Sequence, residues 1–510
     1  MQRFCRHGAD AKEVGMYYDS DNRFFANPLM RPQVLSDADV EAIHRASVQV
    51  LSEVGLRVES EEAARLYLDG GADVTQKDGA ALVKIPERLL EQCIGSAAKD
   101  VVFYGRVEED DFFAGRGMVG FSTFGECVRI TCPKTGSIRA TCKQDLADVT
   151  KICDAAEEIA VVERACGSLD FPPSVQPPHN LEVMLRNTSK AIFIGAFNRP
   201  SAETMVEMAR IAAGGDAALR ARPFLNFFVC PVSPLTMGSD CCEVIVTAAR
   251  AGIGIAAIPM PLAGATAPVT LAGTAVTHNC EALAALVLDQ LASPGARFCY
   301  CSMGTIMDLR CMLAATGAPE HALLGAAAVR MAERYGLPSW IGGGVSDGKL
   351  PDAQAGYEFA IGALMGALAG ANVIYGAGAL ESCLRIDLAK LVLDCEALRY
   401  VRRLLGGIRV EKEALAFETI AHVGPMKDYL GEKHTARFMR DPLHAQVHAQ
   451  IFERNMQDGW EKAGALRADE RALARAQEIL AEHQVKPLPP GAEEAIAACV
   501  AARERALGLG

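Results

Sequence analysis

Between residues 335 and 381 the chain reads YGLPSWIGGGVSDGKLPDAQAGYEFAIGALMGALAGANVIYGAGALE. This is a short strand at 337–341, a glycine-rich turn at 342–344, a polar loop carrying Asp347, Lys349, Asp352 and Gln354, a long apolar helix, and a second strand at 372–375. Strands joined through a helix run parallel, since only a short turn can return the chain antiparallel. The same rhythm fills the preceding 200 residues or so. Strand-like runs at 161–164, 191–195, 224–230, 254–259 and 297–302 alternate with helical runs near 180–188, 201–213, 240–250, 279–292 and 319–335, and another follows at 354–369. Seven strands at spacings of about 30 to 40 residues, plus an eighth that the pattern does not place, predict an α/β fold: a (β/α)8 TIM-type barrel. An open doubly wound sheet is the alternative, and no GxGxxG opens a strand-to-helix turn to support it. In a parallel barrel the loops after the strands build the active site, so function is expected around 342–358.

The flanks have a different texture. Residues 1–35 show no periodicity and read as an extended arm. Ser36-Asp37-Ala38-Asp39 is a helix start, with a hydroxyl to cap free amides and acid in the first turn, and that helix ends at Gly55. A second helix from about Glu61 stops at Gly70-Gly71, and a third follows Ile85-Pro86 to about Cys93. These make 1–110 an N-terminal arm and helical region and 111–405 the barrel, opening with a hairpin over 126–139 that turns at Pro133-Lys134-Thr135-Gly136. Residues 406–510 read as a helical C-terminal extension that either covers the barrel mouth or makes a subunit contact, so a homo-oligomer is expected.

A net charge of −12, with no clustered Lys and Arg, excludes a nucleic-acid groove. The 17 cysteines lack paired CxxC knuckles, which leaves them as reduced core residues and the cytoplasm as the expected compartment. Two uncharged runs, 251–277 and 359–380, are long enough to cross a membrane. Three prolines in the first and several glycines in the second fit a buried strand and a barrel helix better, so no membrane is expected.

With the strand ends laid out, the chain resembles the trimethylamine methyltransferase family. The segments that carry the resemblance are Ile85-Pro-Glu-Arg, Tyr104-Gly-Arg, Lys134-Thr-Gly-Ser-Ile-Arg-Ala-Thr with Asp145-Leu, and Cys230-Pro-Val-Ser-Pro-Leu. They continue with Pro259-Met-Pro-Leu-Ala-Gly-Ala-Thr-Ala-Pro-Val-Thr, Asn279-Cys-Glu281, Gly317-Ala-Pro-Glu320 and Tyr335-Gly-Leu-Pro. The last are Ser346-Asp-Gly-Lys-Leu-Pro-Asp-Ala-Gln-Ala-Gly-Tyr-Glu358 and Gly431-Glu-Lys-His-Thr435. The resemblance implies a barrel whose mouth docks a separate corrinoid protein, which supplies the cobalamin; this chain would hold no cofactor tightly. Founding members use pyrrolysine for trimethylamine. This chain has only standard residues and so resembles the non-pyrrolysine branch, whose substrates are small quaternary amines of the betaine type, such as glycine betaine, proline betaine, carnitine or γ-butyrobetaine.

Such a reaction needs little from the protein beyond placement. A quaternary ammonium leaves as a neutral tertiary amine without a proton, so the site must hold the cation with one methyl aimed at the Co(I) acceptor. Aromatic faces and a carboxylate can do so. The substrate-binding candidates are Tyr104, Phe124, Phe228, Tyr357 and Phe359, with Phe121, Tyr300 and Trp340 as further aromatics, Glu126 as counter-charge, Gln354, and His278 and His434. Each aromatic reads equally as core, and each histidine as a structural hydrogen-bonder. Lys349, Glu358 and Asp347 form the expected catalytic set, Glu358 also as a second counter-charge and Lys349 either as a ligand for a betaine carboxylate or standing where the founding members of the family it resembles put their special residue; Asp352 also fits a plain helix cap. Two rival readings remain: a barrel lyase with Lys349 as a Schiff-base amine, and a betaine-binding or docking subunit without turnover. No metal site is expected: His444 and His448 are one turn apart but lack the Glu of HExxH. Gly344-Val-Ser-Asp-Gly348 spells GxSxG without the immediate helix a nucleophile elbow needs.

Overall fold

The computed structural model describes residues 33–99, 101–441, 444 and 446–509. The arm expected over 1–35 lies almost wholly outside them. Eight parallel strands form one sheet: β1 (Gly120–Thr123), β2 (Val162–Glu163), β3 (Ile192–Gly195), β4 (Leu225–Val229), β5 (Gly254–Ala257), β6 (Phe298–Ser302), β7 (Ser339–Gly342) and β8 (Val373–Ala377). Neighbours in sequence are neighbours in space, and β8 pairs with β1. The ring closes between β1 and β2, where Ala160 N–H donates to the Phe121 carbonyl at 2.9 Å and the Thr123 hydroxyl to the Glu163 carbonyl at 2.6 Å. The strand missing from the sequence pattern is β1. It has four residues, two of them Gly120 and Ser122, and carries no apolar run to announce it.

A helix follows each strand: α1 (Lys143–Ala155), α2 (Gln176–Asn187), α3 (Arg199–Ala213), α4 (Ser239–Ala251), α5 (Leu271–Ala292), α6 (Pro319–Tyr335), α7 (Ala353–Ala369) and α8 (Leu388–Leu405). Outward strand residues such as Phe227, Ile255, Phe298 and Ile374 pack with the helices, while Phe193, Ala256, Cys301, Trp340 and Tyr375 fill the lumen. Glycine sets the closest approach. A Cβ on Gly362 of α7 would lie 2.0 Å from the Gly343 carbonyl, so helix and strand end meet backbone to backbone. The one described helix long and apolar enough to cross a membrane is α5, and it is buried between β6 and the N-terminal helices.

The N-terminal region is helical, as expected, with short strands between its helices. Helices Asp37–Gln49, Glu61–Asp69 and Glu87–Ser96 accompany strands Leu56–Val58, Asp73–Lys77 and Ala80–Lys84, which form a sheet with Thr236–Met237 of the loop after β4. The Ser36 capping box forms as its sequence predicts. A short hairpin, Val102–Phe103 with Phe112–Phe113, plugs the N-terminal end of the barrel. The C-terminal extension does not sit over the mouth in its last part: helix Ala468–Glu482 packs on α8 and α1, and helix Ala492–Ala506 on α3 and α2, cladding the outside.

Candidate functional site

The lumen is sealed from below and open above. Phe103 of the plug meets Phe193 edge-on at 5.0 Å, Phe193 lies 4.2 Å from Trp340, and Trp340 meets Phe228 edge-on at 5.2 Å. This column of rings ends at Phe228, which forms the floor of a cavity of about 510 Å³ at the C-terminal ends of the strands. That volume suits a small organic ligand. Phe124, tilted on Tyr375 at 5.0 Å, and Phe197 supply two more rings to its wall.

Its polar wall comes from β2. Glu163 is 4% exposed; Oε1 accepts from Gly125 N–H at 2.9 Å, and Oε2 has no partner. Burial pushes its carboxyl well above the ordinary carboxylate range, opposed only in part by the Gly125 amide and the Arg164 charge. Burial therefore favours the protonated form of this acid in the free cavity. Arg164, equally buried, donates to the Glu126 carboxylate, and its Nε is unpartnered. Cys230, exposed at the end of β4, also lines the cavity.

Of the expected substrate-binding residues, Phe124, Glu126 and Phe228 line this cavity. The others lie elsewhere. Tyr104 is at the opposite end, under the guanidinium groups of Arg222 and Arg297 at 5.0 and 5.5 Å, because it follows the plug strand and not a barrel strand. His278 is wedged between α5 and β6, with Nε2 2.9 Å from the Cys301 carbonyl and Nδ1 3.2 Å from the Tyr300 hydroxyl; burial pushes it down to about 4, so it stays neutral. Phe359 is core and lies 4.4 Å from the Lys390 ammonium, which pairs with Asp394. Tyr357 and Gln354 face outward on α7, and Gln354 donates to Glu358 at 2.9 Å. His434 stays within the C-terminal extension, its ring tilted against Phe438 at 4.4 Å.

The polar loop after β7 is a clamp. Asp347 accepts from Thr316 N–H and hydroxyl at 3.0 and 2.9 Å, from Gly317 N–H at 3.0 Å and from the Ser382 hydroxyl at 2.7 Å, tying together the loops after β6, β7 and β8. Glu358 accepts from the Ser346 hydroxyl at 2.6 Å and Asp347 N–H at 2.9 Å. A Cβ on Gly317 would fall 2.5 Å from the Glu358 carboxyl, so the glycine lets that carboxylate close under the loop. The clamp holds a strained segment. Glu381, Ser382 and Cys383 are all left-handed, with φ of +56°, +54° and +68°, and Ser382 and Cys383 line the cavity. Lys349 is exposed, with its ammonium 2.7 Å from the Asp347 carbonyl. It lacks the desolvation that a Schiff-base amine requires. Asp352 caps α7, accepting from Gln354 N–H at 3.0 Å.

A second clamp joins two of the motifs that carried the resemblance. Glu281 on α5 accepts from Leu235 N–H at 2.9 Å and the Ser233 hydroxyl at 2.8 Å, fixing the loop that starts at Cys230; burial pushes this carboxyl up to about 7. Sequence reasoning missed Glu163, Arg164 and Phe197. Glu163-Arg164 does carry a signal: adjacent charges ending the apolar run 159–162, at the carboxyl end of a predicted strand.

The profile described as trimethylamine methyltransferase (MTTB) matches residues 5–508. Trimethylamine methyltransferase MttB of Desulfitobacterium hafniense (strain DSM 10664 / DCB-2) is 42% identical over 454 residues, covering 89% of this chain and 90% of that protein. Its namesake from Methanosarcina barkeri is 34% identical over 455 residues, covering 88% and 91%. The glycine betaine methyltransferase of Desulfitobacterium hafniense (strain Y51) is 28% identical over 482 residues, covering 94% and 99%.

Proposed function

This chain belongs to the trimethylamine methyltransferase family, and from that premise we propose that its mouth cavity binds a small quaternary amine and presents one methyl group to the Co(I) of a separate corrinoid protein. The observation that carries the reading is the cavity itself, three phenylalanine rings around one buried carboxyl whose second oxygen has no partner. Rings at Phe124, Phe197 and Phe228 can each hold an ammonium face by roughly 0.5 to 2 kcal/mol. Glu163, neutral in the free cavity, gains a reason to ionise when a cation arrives, and its charge then steadies the cation in a dry site.

The chemistry balances without an acid or base. The acceptor's electron pair forms the new bond to carbon, the carbon–nitrogen pair stays on nitrogen, and a neutral tertiary amine leaves. The protein's part is to hold the nitrogen against the floor with one methyl pointing outward, while Asp347 and Glu358 act as positioning residues that keep the wall in shape. The rim supports a partner on this face. Val128, Val232, Val269, Leu313, Leu350 and Leu384 stand exposed in the loops after β1, β4, β5, β6, β7 and β8. Apolar side chains gathered around a cavity mouth are a usual mark of a protein contact.

The test is the visible spectrum of a reduced corrinoid protein mixed with this chain and each candidate amine in turn. The expected result is loss of the Co(I) band with a betaine-type amine. Conversion with trimethylamine alone would replace the quaternary-amine reading. Silence with every amine, together with measurable amine binding, would favour a docking subunit without turnover.

A further inference from the structure

Arg164 stands at the carboxyl end of β2 with 4% of its surface exposed, and its Nε is buried without a partner. Glu163 beside it carries the unpartnered Oε2. Buried polar atoms are satisfied in the great majority of cases, and both residues line the cavity, so two unpartnered atoms beside it point to groups that a ligand can complete. The partner that the Arg164 guanidinium does have is of a different kind. Glu126 is an exposed side chain that reaches back to it, with Oε1 poised where a Cβ on Gly195 would be 3.5 Å away. Its backbone φ is +91°, a region unfavourable for glutamate and tolerated chiefly where surrounding contacts impose it.

We propose that Arg164 anchors the carboxylate of a zwitterionic substrate and that Glu126 is its stand-in, displaced on binding, so that the cavity takes quaternary amines bearing an acid group in preference to bare ammonium cations. The inference rests on the quaternary-amine reading above and names its substrate class. The exchange keeps charges paired. One carboxylate replaces another on a planar guanidinium suited to it, Glu126 turns to water, and the ammonium end meets the rings and Glu163. Losing Glu126 to solvent costs little, since its side chain is already 65% exposed.

Isothermal titration of the full chain with glycine betaine and with tetramethylammonium tests this directly. The expected preference of the wild type for glycine betaine is roughly ten- to a hundredfold, the range for one charge-assisted contact. Arg164→Met abolishes that preference, read as the ratio of the two affinities in the variant. Glu126→Gln tightens glycine betaine several-fold by weakening the stand-in. Equal wild-type affinities, or a preference that survives Arg164→Met, would overturn the proposal. Should Arg164→Met fail to fold, an unchanged glycine betaine affinity in Glu126→Gln would overturn it alone. If the wild type binds neither ligand, the quaternary-amine reading itself fails and takes this inference with it.

Discussion

Two polar clusters stand near the barrel mouth, and they differ in how completely their hydrogen bonds are used. Around Asp347 and Glu358, every contact is internal: the two carboxylates accept from Thr316, Gly317, Ser382, Ser346 and the loop backbone. Around Glu163 and Arg164, one buried oxygen and one buried nitrogen are left over. A satisfied network stabilises and shapes; an unsatisfied one gives up stability so that something else can complete it. The first cluster holds the left-handed turn at 381–383 against the cavity, and on the function proposed above the second is the part that meets the ligand.

The comparison can be broken from either side. The largest expected effect is on the scaffold. Asp347→Ala leaves four donors without their acceptor and releases a strained turn, so chemical unfolding should show a loss of about 3 kcal/mol. A loss below about 1 kcal/mol would mean the clamp is not structural. Glu163→Gln should do the reverse. It removes a buried acid whose second oxygen has no partner, so the unfolding midpoint should hold or rise, while methyl transfer to the corrinoid acceptor falls roughly a hundredfold, or about 2.7 kcal/mol. Unchanged transfer would remove Glu163 from the site.

A pH series sharpens the same point. Burial raises the Glu163 pKa and so favours the protonated form in the free cavity, while a bound cation favours the ionised form. Binding then releases a proton. Affinity for the amine should tighten as pH rises, by up to about tenfold per unit, and level off once the free acid is ionised. Affinity that weakens with rising pH would contradict a neutral free acid. The smallest effect is at Lys349. It is exposed and touches only the Asp347 carbonyl, so Lys349→Ala should shift unfolding by no more than about 0.5 kcal/mol, and borohydride should trap no carbonyl adduct.

How much of this was legible in the chain depends on the range of the interaction. Seven barrel strands announced themselves as apolar runs, whereas β1, with Gly120 and Ser122 among its four residues, had no run to show and is held as a strand by its pairing with β8. The Asp352 cap was readable for the same local reason. The polar loop at 346–358 drew attention because it is polar beside an apolar helix, yet whether its carboxylates were spare or spent turned on Thr316 and Ser382, about 31 and 35 residues from Asp347 in sequence. Tyr104 and His278 carried suitable chemistry and sit at the wrong end or the wrong face, which no spacing reveals.

The sequence by itself determined the barrel, its parallel order and the placement of function at the carboxyl ends of its strands. Those follow from periodicity and from the motifs strung along them. Only the tertiary structure decided which polar groups are left unpaired: Glu163 and Arg164 sit at the end of β2, but their orphaned atoms exist because no loop among the described residues reaches them. Satisfaction of a buried group is a property of everything around it, and in a closed barrel that surrounding is assembled from all eight strand ends at once.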